Sequence, residues 1–297
     1  MRHNRSRALM FLLLAGLPFG AASAQDTTAP FGRLFDSAAV NHVALLSSDS
    51  PQKTFFTSRD LVYTTAAAAV TVGIMQFDKK IAHWTQTPSV QGSSSRHNAV
   101  NSLTKINETP LGIASVLTYG IGRLTRSPTV ADVGLHWAEA LFLTDVISEA
   151  IRGPIGRNRP RVTPDDPFNF KFGGGFTNFD RRAFPSLHSA VGFATAAALY
   201  GEVRERHPSA SWYAGPLLYA FAIIPGTTRM YLNQHWASDV FAGAFIGQLI
   251  GSRVVHYAHT HKRNKLDRAL LATSVMPDGY GGTRVTVSLG DVLPAGW

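Results

Sequence analysis

Six long apolar segments, separated by short polar joints, constrain the fold more than any other feature of this 297-residue chain. They are residues 61–77, 111–124, 129–153, 186–206, 212–232 and 235–259. Each is rich in Ala, Leu or Phe and is longer than an ordinary strand, which favours helix. Gly and Pro residues occupy the joints. The pattern predicts an all-α fold, a helical bundle of about six core helices over residues 58–262.

The two ends of the chain follow different patterns. Residues 1–24 combine three arginines, an apolar run and the small residues AASA, which together predict a signal peptide cleaved after Ala24. Residues 25–57 are polar and turn-rich, so we expect an N-terminal arm there. In the tail, residues 263–297, two β-branched runs within 270–289 flank a turn and predict a small C-terminal β-hairpin. We therefore expect an exported, periplasmic protein.

Composition limits the classes of partner. Charged residues make up only 16% of the chain and hydrophobic residues 45%, which is typical of a core-rich or membrane-associated protein. Residues 129–153 carry acidic side chains, among them Asp132, Glu139 and Asp145, so we favour a water-soluble or peripherally membrane-associated bundle and leave an integral membrane bundle open. The net charge of +9 suits phosphate-bearing substrates or an anionic membrane surface. No nucleic-acid-binding motif is present, and we expect no such partner.

A first basic motif is RGPIGRNRPR, in which Arg152 and Arg159 lie seven residues apart. We expect a helix to end near Gly153 and Pro154, because the residue before a proline is biased away from helix. Guanidinium groups present donor forks that match phosphate oxygens. On its own, however, this stretch is better explained as a solvated basic loop.

A second motif is AFPSLHSAVGF. Ser186 follows a proline at a predicted helix start, where free amides and the positive end of the helix dipole favour an anion. His188 lies in the first turn of that helix. A lone histidine in such a position is more often structural than catalytic.

The third motif, TTRMYLNQHWASDVFAG, brings together Arg229, His235 and Asp239. His235 and Asp239 are four residues apart and would share one face of a helix. A carboxylate bonded to one ring nitrogen raises the basicity of the other, which is what a histidine nucleophile needs. A buried His–Asp pair that only bridges helices explains this motif equally well.

Read in order, the three motifs are R-x6-R-P, P-S-x-H and T-R-x5-H-x3-D, with gaps of 24 and 39 residues between them. The set resembles the tripartite pattern of the type 2 phosphatidic acid phosphatase superfamily, which includes class A acid phosphatases, lipid phosphatases and vanadium haloperoxidases. Three ordered motifs are far more specific than any one of them. The chain departs from the family pattern at three positions: Arg152 replaces Lys, Leu187 replaces Gly and Thr228 replaces Ser.

The resemblance implies a role for each matched residue. Arg152, Arg159 and Arg229 would bind the phosphoryl oxygens, with Ser186 and the amide of Leu187 adding hydrogen bonds. His235 would attack phosphorus and form a phosphohistidine, and Asp239 would orient it. His188 would protonate the leaving alcohol and then activate water. The implied enzyme is a metal-independent phosphatase with no cofactor, acting on phosphate monoesters of small molecules or on lipid phosphates and diphosphates.

Two other functions remain as alternatives. One is a vanadium-dependent haloperoxidase, since vanadate occupies the same kind of cradle in that family. The other is a non-catalytic helical envelope protein, against which the presence of both histidines, Arg229 and Asp239 argues. The sequence HYAHTH, with His256, His259 and His261, lacks a nearby carboxylate and is expected to be a solvated helix end rather than a metal site.

Overall fold

The computed structural model describes residues 54–261 and the backbone of two short strands, residues 273–277 and 283–287. The helices within these residues are α1 Ser58–Met75, α2 Asp78–Thr85, α3 Pro88–Gln91, α4 Ser94–Leu103, α5 Glu108–Leu124, α6 Pro128–Ile155, α7 Gly174–Thr177, α8 Leu187–Arg206, α9 Ser211–Tyr231 and α10 Ala237–Thr260. Two 3-10 turns occupy Phe179–Arg181 and Pro208–Ala210. The predicted all-α fold is confirmed.

The six predicted helices correspond to α1, α5, α6, α8, α9 and α10, and their ends differ by at most three residues from the prediction. The shorter helices α2, α3, α4 and α7 were not predicted, because they are too short or too polar to show a long apolar run. The predicted signal peptide and residues 25–53 of the predicted arm lie outside the described residues.

Two strands near the carboxyl end pair in antiparallel fashion. They are β1, Thr273–Pro277, and β2, Thr283–Val287, with Thr273 opposite Val287 and Pro277 opposite Thr283. Residues 278–282, which would form the turn, lie outside the described part of the chain. The hairpin as a whole therefore stays a prediction.

Helix α6 ends later than predicted. It continues through Pro154 to Ile155 and is closed by Gly156, whose φ of 60° is left-handed. The helix was expected to end near Gly153 and Pro154, and it ends one residue beyond Pro154. Pro154 lies in the last turn, where few hydrogen bonds remain to be lost, and glycine adopts the left-handed cap without steric cost.

Close contact between α8 and α10 sets the positions of two of the three motifs. A Cβ atom at Gly243 would lie 2.2 Å from the carbonyl oxygen of Ser186, and one at Gly247 would lie 2.0 Å from that of Ala190. Only glycine allows backbones to approach this closely. The start of α8 is consequently held against the start of α10, where the Ser186 amide donates a 2.9 Å hydrogen bond to the Asp239 carbonyl.

The main core lies where α6, α8 and α10 meet, and its buried members include Ala140, Ala198, Ile250 and Val255. Small side chains dominate this interface, which lets three long helices pack closely. Among the described helices, no single one is long and apolar enough to cross a membrane. The pair α1 and α2, bent by 60°, passes that test by length and composition alone.

Candidate active site

Helix ends bring the three motifs together. Arg152 lies in the last turn of α6, His188 in the first turn of α8, and Arg229 in the last turn of α9. Asp239 lies in the first turn of α10. The structure therefore gathers residues that are up to 87 positions apart in the sequence at one end of the bundle.

Two arginines of the first motif are buried and held by their neighbours. Arg152 donates to Glu149 at 2.8 Å and to the carbonyl oxygen of Arg182 at 2.9 Å. Arg159 donates to Gln234 at 2.9 Å, and its guanidinium group lies 4.5 Å from the ring centre of Phe179. These contacts fix the two cations, so that little rearrangement is needed when an anion binds.

Two polar atoms of the site are buried and have no hydrogen-bond partner within the described part of the chain. They are Oγ of Ser186 and Nε of Arg229. Ser186 occupies the N-cap of α8 but makes no side-chain capping bond, contrary to what its position suggests. Buried groups of this kind are almost always satisfied in proteins. A ligand with oxygen acceptors would satisfy both.

Both histidines are neutral over the ordinary pH range. Burial, followed by the charge of Arg229, lowers the pKa of His188 to about 3. Burial and the charges of Arg159, Arg152 and Arg229, in that order, hold the pKa of His235 well below its usual value. Burial and neighbouring cations also lower the pKa of Arg159 to about 10. The site is thus a concentration of positive charge around two neutral imidazoles.

His235 is held differently from the arrangement expected from sequence. It lies just before α10, which begins at Ala237 with Trp236 as its N-cap. Its Nδ1 atom lies 2.7 Å from the carbonyl oxygen of Ala183 and 3.7 Å from Oδ2 of Asp239. The expected hydrogen bond from Nδ1 to the Asp239 carboxylate is replaced by one to a backbone carbonyl, and Asp239 instead accepts a hydrogen bond from the Trp236 amide at 2.8 Å. Nε2 is left as the atom that can attack.

Asp239 belongs to a buried ionic group that was not predicted. Arg157 donates to Asp239 at 2.6 Å and to Asp78 at 2.8 Å, and all three side chains are fully buried. Ser238 also accepts from Arg157, at 2.7 Å. Burial raises the pKa of Asp239, and the charge of Arg157 opposes that rise. Arg157 lies within the first motif, but nothing in the sequence pattern distinguished it from Arg152 and Arg159, the two arginines of that motif that were assigned to the site.

The loop of residues 164–184, here called the lid, packs directly against the end of α6. A Cβ atom at Gly175 would lie 2.2 Å from the carbonyl oxygen of Arg152, and one at Gly153 would lie 2.2 Å from the ring of Phe176. The loop also supplies the Arg182 and Ala183 carbonyls that hold Arg152 and His235. The glycines therefore permit the loop to pack against the end of α6 that carries Arg152.

The donor set of the site suits an anion. Three guanidinium groups, a serine hydroxyl and the first amides of α8 surround the two imidazoles, and helix N-terminal amides have no partner in the preceding turn. The eight residues predicted for the site all belong to this cluster or adjoin one of its members in the sequence. Leu187 is the first residue of α8. The chemistry available is phosphoryl binding with a nucleophile and a proton donor.

Comparisons with known proteins found one family model and two curated relatives that are similar in sequence. Residues 134–263 match the model of the PAP2 superfamily. The chain is similar to a lipid A 1-phosphatase of Porphyromonas gingivalis, with 30% identity over 162 residues, which is 54% of this chain and 31% of the relative. It is similar to a lipid A 4'-phosphatase of Bacteroides thetaiotaomicron, with 29% identity over 169 residues, 51% of this chain and 67% of the relative. The matched part of the chain thus spans about a third of the length of the first relative and about two thirds of the length of the second.

Among solved structures, the transmembrane PAP2-type phosphatidylglycerolphosphate phosphatase of Bacillus subtilis covers 69% of this chain and 96% of its own, with a TM-score of 0.47 and 18% identity. The matched range 134–263 contains every arginine, histidine and aspartate that the sequence assigned to the site. By this match, residues 134–263 are similar to the PAP2 superfamily, the family that the three motifs resemble.

Proposed function

We propose that this protein is an exported, membrane-associated phosphatase that removes a phosphate monoester from a lipid through a phosphohistidine at His235. One observation carries the proposal: three arginines surround two histidines of lowered pKa, and the buried Ser186 Oγ and Arg229 Nε are unpaired donors suited to an oxygen-rich ligand. A phosphoryl group offers three acceptor oxygens and negative charge. It therefore supplies both acceptors for the unpaired donors and negative charge to offset the three arginines.

The cradle holds the phosphoryl oxygens before and during reaction. Arg152 and Arg159 are already fixed by Glu149 and Gln234, so their charge is in place when substrate arrives. Such preorganised charge stabilises the transition state more than it stabilises a ground state in water. The amide of Leu187 and the hydroxyl of Ser186 donate to the same oxygens. Arg152, which replaces the Lys of the family pattern, supplies a planar fork in place of a point charge.

In the first step, Nε2 of His235 attacks phosphorus. A bond forms between Nε2 and phosphorus, and the bond between phosphorus and the lipid oxygen breaks. The hydrogen bond from Nδ1 to Ala183 keeps the proton on Nδ1 and leaves a lone pair on Nε2. His188 gives its proton to the departing oxygen. It holds that proton only when phosphate is bound, because the phosphate charge offsets the arginines that lower its pKa.

In the second step, water attacks the phosphohistidine. The neutral His188 takes a proton from the water as the new bond to phosphorus forms, and the bond from phosphorus to Nε2 of His235 breaks. As inorganic phosphate leaves, His188 releases the proton to solvent, and both imidazoles are neutral again. The three arginines offset the phosphate charge throughout, so the proposal assigns no step to a metal ion.

The outer face of α5 supports a membrane location for the substrate. Ile113, Val116, Leu117, Ile121 and Leu124 are all exposed, and their spacing places them on one side of the helix. A continuous exposed apolar face marks a membrane or protein contact. The lid also exposes phenylalanines, with Phe172 90% exposed and Phe176 72% exposed.

Two apolar grooves lie between helices of the bundle. One, of about 600 Å³, lies between α1, α6 and α10 and reaches Ile151 and Phe184, which are next to Arg152 and Pro185. The other, of about 560 Å³, lies between α5 and α6 and is lined by Leu141 and Phe142 among others. Grooves of this size accept large apolar ligands. Acyl chains bound there would keep the phosphate of the same lipid at the site.

The relatives support the same substrate class, since the two that are similar over half of this chain are phosphatases of lipid A. The basic net charge and the predicted signal peptide support export to a compartment with an anionic membrane surface. Lipid phosphates are therefore preferred over soluble esters as the substrate class.

The test uses the full chain in mixed detergent micelles with excess EDTA. Phosphate release is measured with phosphatidic acid and with p-nitrophenyl phosphate, and the His235→Ala variant is assayed beside the native protein. We expect release from both substrates in EDTA, a higher kcat/KM for phosphatidic acid, and no release by the variant. Equal turnover by the variant would overturn the proposed mechanism.

The control variant is His97→Ala, which changes a histidine that lies on α4, outside the site. It should retain native turnover on both substrates. Loss of the lipid preference with retained His235-dependent turnover would move the proposal to soluble esters. Halide oxidation that requires added vanadate would favour the haloperoxidase alternative.

A further inference from the structure

A second polar cluster lies at the opposite end of the bundle. Oε1 of Glu202 accepts from Nδ1 of His136 at 2.6 Å and from Nε2 of His259 at 3.0 Å. One ligand atom from each of the three residues lies within 4.8 Å of the others. His136 and Glu202 are buried, and the His259 side chain is 25% exposed. We propose that His136, Glu202 and His259 bind a divalent transition-metal ion of the Zn²⁺ class.

The donor atoms fit that class of ion. Zn²⁺ prefers imidazole nitrogens and carboxylate oxygens at about 2.0–2.2 Å, which places ligand atoms on a tetrahedral ion about 3.3 Å apart. The two nitrogens lie 2.6 and 3.0 Å from the carboxylate oxygen, so movements of less than about 1 Å would admit the ion. The rings of His136 and His259 have centres 5.7 Å apart and planes inclined by 70°, an arrangement that lets both nitrogens face a common point.

The surroundings hold the carboxylate in place and favour a cation. Arg206 donates to the other oxygen of Glu202 at 2.7 Å and to Asp132 at 2.6 Å. Neighbours of this kind orient metal ligands in known sites. When both histidines are neutral, Glu202 and Asp132 carry two negative charges and Arg206 carries one positive charge. These groups then have one excess negative charge, which a bound cation would offset. The exposed edge of His259 gives the ion a way in, and water would complete its coordination.

The site would join the helices that carry catalysis. His136 lies on α6, Glu202 on α8 and His259 on α10, the same helices that present Arg152, His188 and Asp239 at the other end. On α6 the two sites are 16 residues apart, about 24 Å along the helix axis. We assign the ion a structural role, binding the distant ends of these three helices together. It lies too far away to contact substrate.

His259 was not expected to take part in such a site. The sequence HYAHTH lacks a nearby carboxylate, and the expectation was a solvated helix end. Glu202 supplies the carboxylate from α8, 57 residues away in sequence. The spatial pairing of α8 with α10 creates a donor set that no local motif shows.

The test uses the untagged full chain in detergent, stripped with EDTA and dialysed. Calorimetry with Zn²⁺ should show one saturable site per chain, and Mg²⁺ at the same concentration should give none. Zn²⁺ at about 100 times its dissociation constant should raise the melting temperature by about 5 °C or more. Co²⁺ should give the intense visible absorption of a tetrahedral complex.

The variants separate this site from other histidines. His259→Gln should weaken Zn²⁺ binding at least 100-fold and remove the thermal shift, while His256→Gln, one turn away on α10, should bind as the native chain does. Equal Zn²⁺ affinity in His259→Gln would overturn the proposal. If that variant does not fold, the absence of a tetrahedral Co²⁺ spectrum in the native chain would overturn it instead. Phosphatase activity is not the readout, so the two proposals fail independently.

Discussion

Nδ1 of His235 lies 2.7 Å from the carbonyl oxygen of Ala183, and this contact fixes the ring more directly than the neighbouring carboxylate does. A backbone carbonyl can only accept, so Nδ1 carries the proton and Nε2 faces the phosphate site. The carbonyl belongs to the lid, immediately before Phe184 and Pro185. Lid position and nucleophile orientation are consequently linked.

The first prediction concerns Asp239. Asp239→Asn should lower kcat by about 10- to 100-fold, because the carboxylate acts on His235 at 3.7 Å and through the cap of α10. His235→Asn should abolish turnover. Steady-state kinetics on both variants measures the difference. An Asp239→Asn loss as complete as that of His235→Asn would show that the carboxylate, and not Ala183, holds the ring.

The second prediction concerns the buried ionic group. Arg157→Met leaves Asp78 and Asp239 unpaired in the interior and should lower the free energy of unfolding by about 3–5 kcal/mol. Arg161→Met, from the same basic stretch, removes a partly exposed pair with Asp180 and should cost about 1 kcal/mol or less. Urea unfolding followed by circular dichroism measures both. Equal losses would contradict the structural role given to Arg157.

The third prediction concerns protonation of His188. In the free site its pKa is about 3, mainly through burial and then the charge of Arg229. A bound dianion offsets the cations and raises that pKa, and a group with a higher pKa in the bound state takes up a proton at any pH between the two values. Sulfate binding at pH 5 should therefore be accompanied by proton uptake.

Calorimetry in two buffers with different heats of ionisation measures this uptake. The apparent binding enthalpy of the native protein should differ between the buffers. His188→Gln should still bind sulfate but should show a smaller difference. Identical enthalpies for the native protein would contradict the proposed charge coupling.

The fourth prediction concerns the contact between α8 and α10. Gly247→Ala places a methyl group 2.0 Å from the carbonyl oxygen of Ala190, so the helices must separate. We expect a lower melting temperature and lower turnover, since Ser186 and Asp239 lie at the starts of these helices. Gly73→Ala, on α1 with no atom within 4 Å of its new methyl group, should be neutral or stabilising. A native-like Gly247→Ala would argue against close packing as the basis of site geometry.

The sequence predicted the long helices well because a long apolar run indicates a helix that packs in the bundle. It also assigned eight residues to one site from spacings that are local to each motif, and their roles stay predictions. It could not predict how those residues are held. Asp239 is linked through Arg157 to Asp78 on α2, which lies 79 residues before that arginine in the sequence. The His235 contact depends on α10 starting two residues later than predicted. Such contacts arise from packing between distant segments and leave no periodic pattern.

The central claim is the phosphohistidine at His235, and trapping it is the most direct test. The His188→Ala variant is mixed with p-nitrophenyl phosphate, whose leaving group departs without a proton donor, and the reaction is stopped in alkali, where phosphohistidine is stable. Peptide mass spectrometry should then find one phosphate on His235 and a burst of about one p-nitrophenol per site. Turnover without a phosphorylated His235 peptide, or phosphate carried by another residue, would contradict the account.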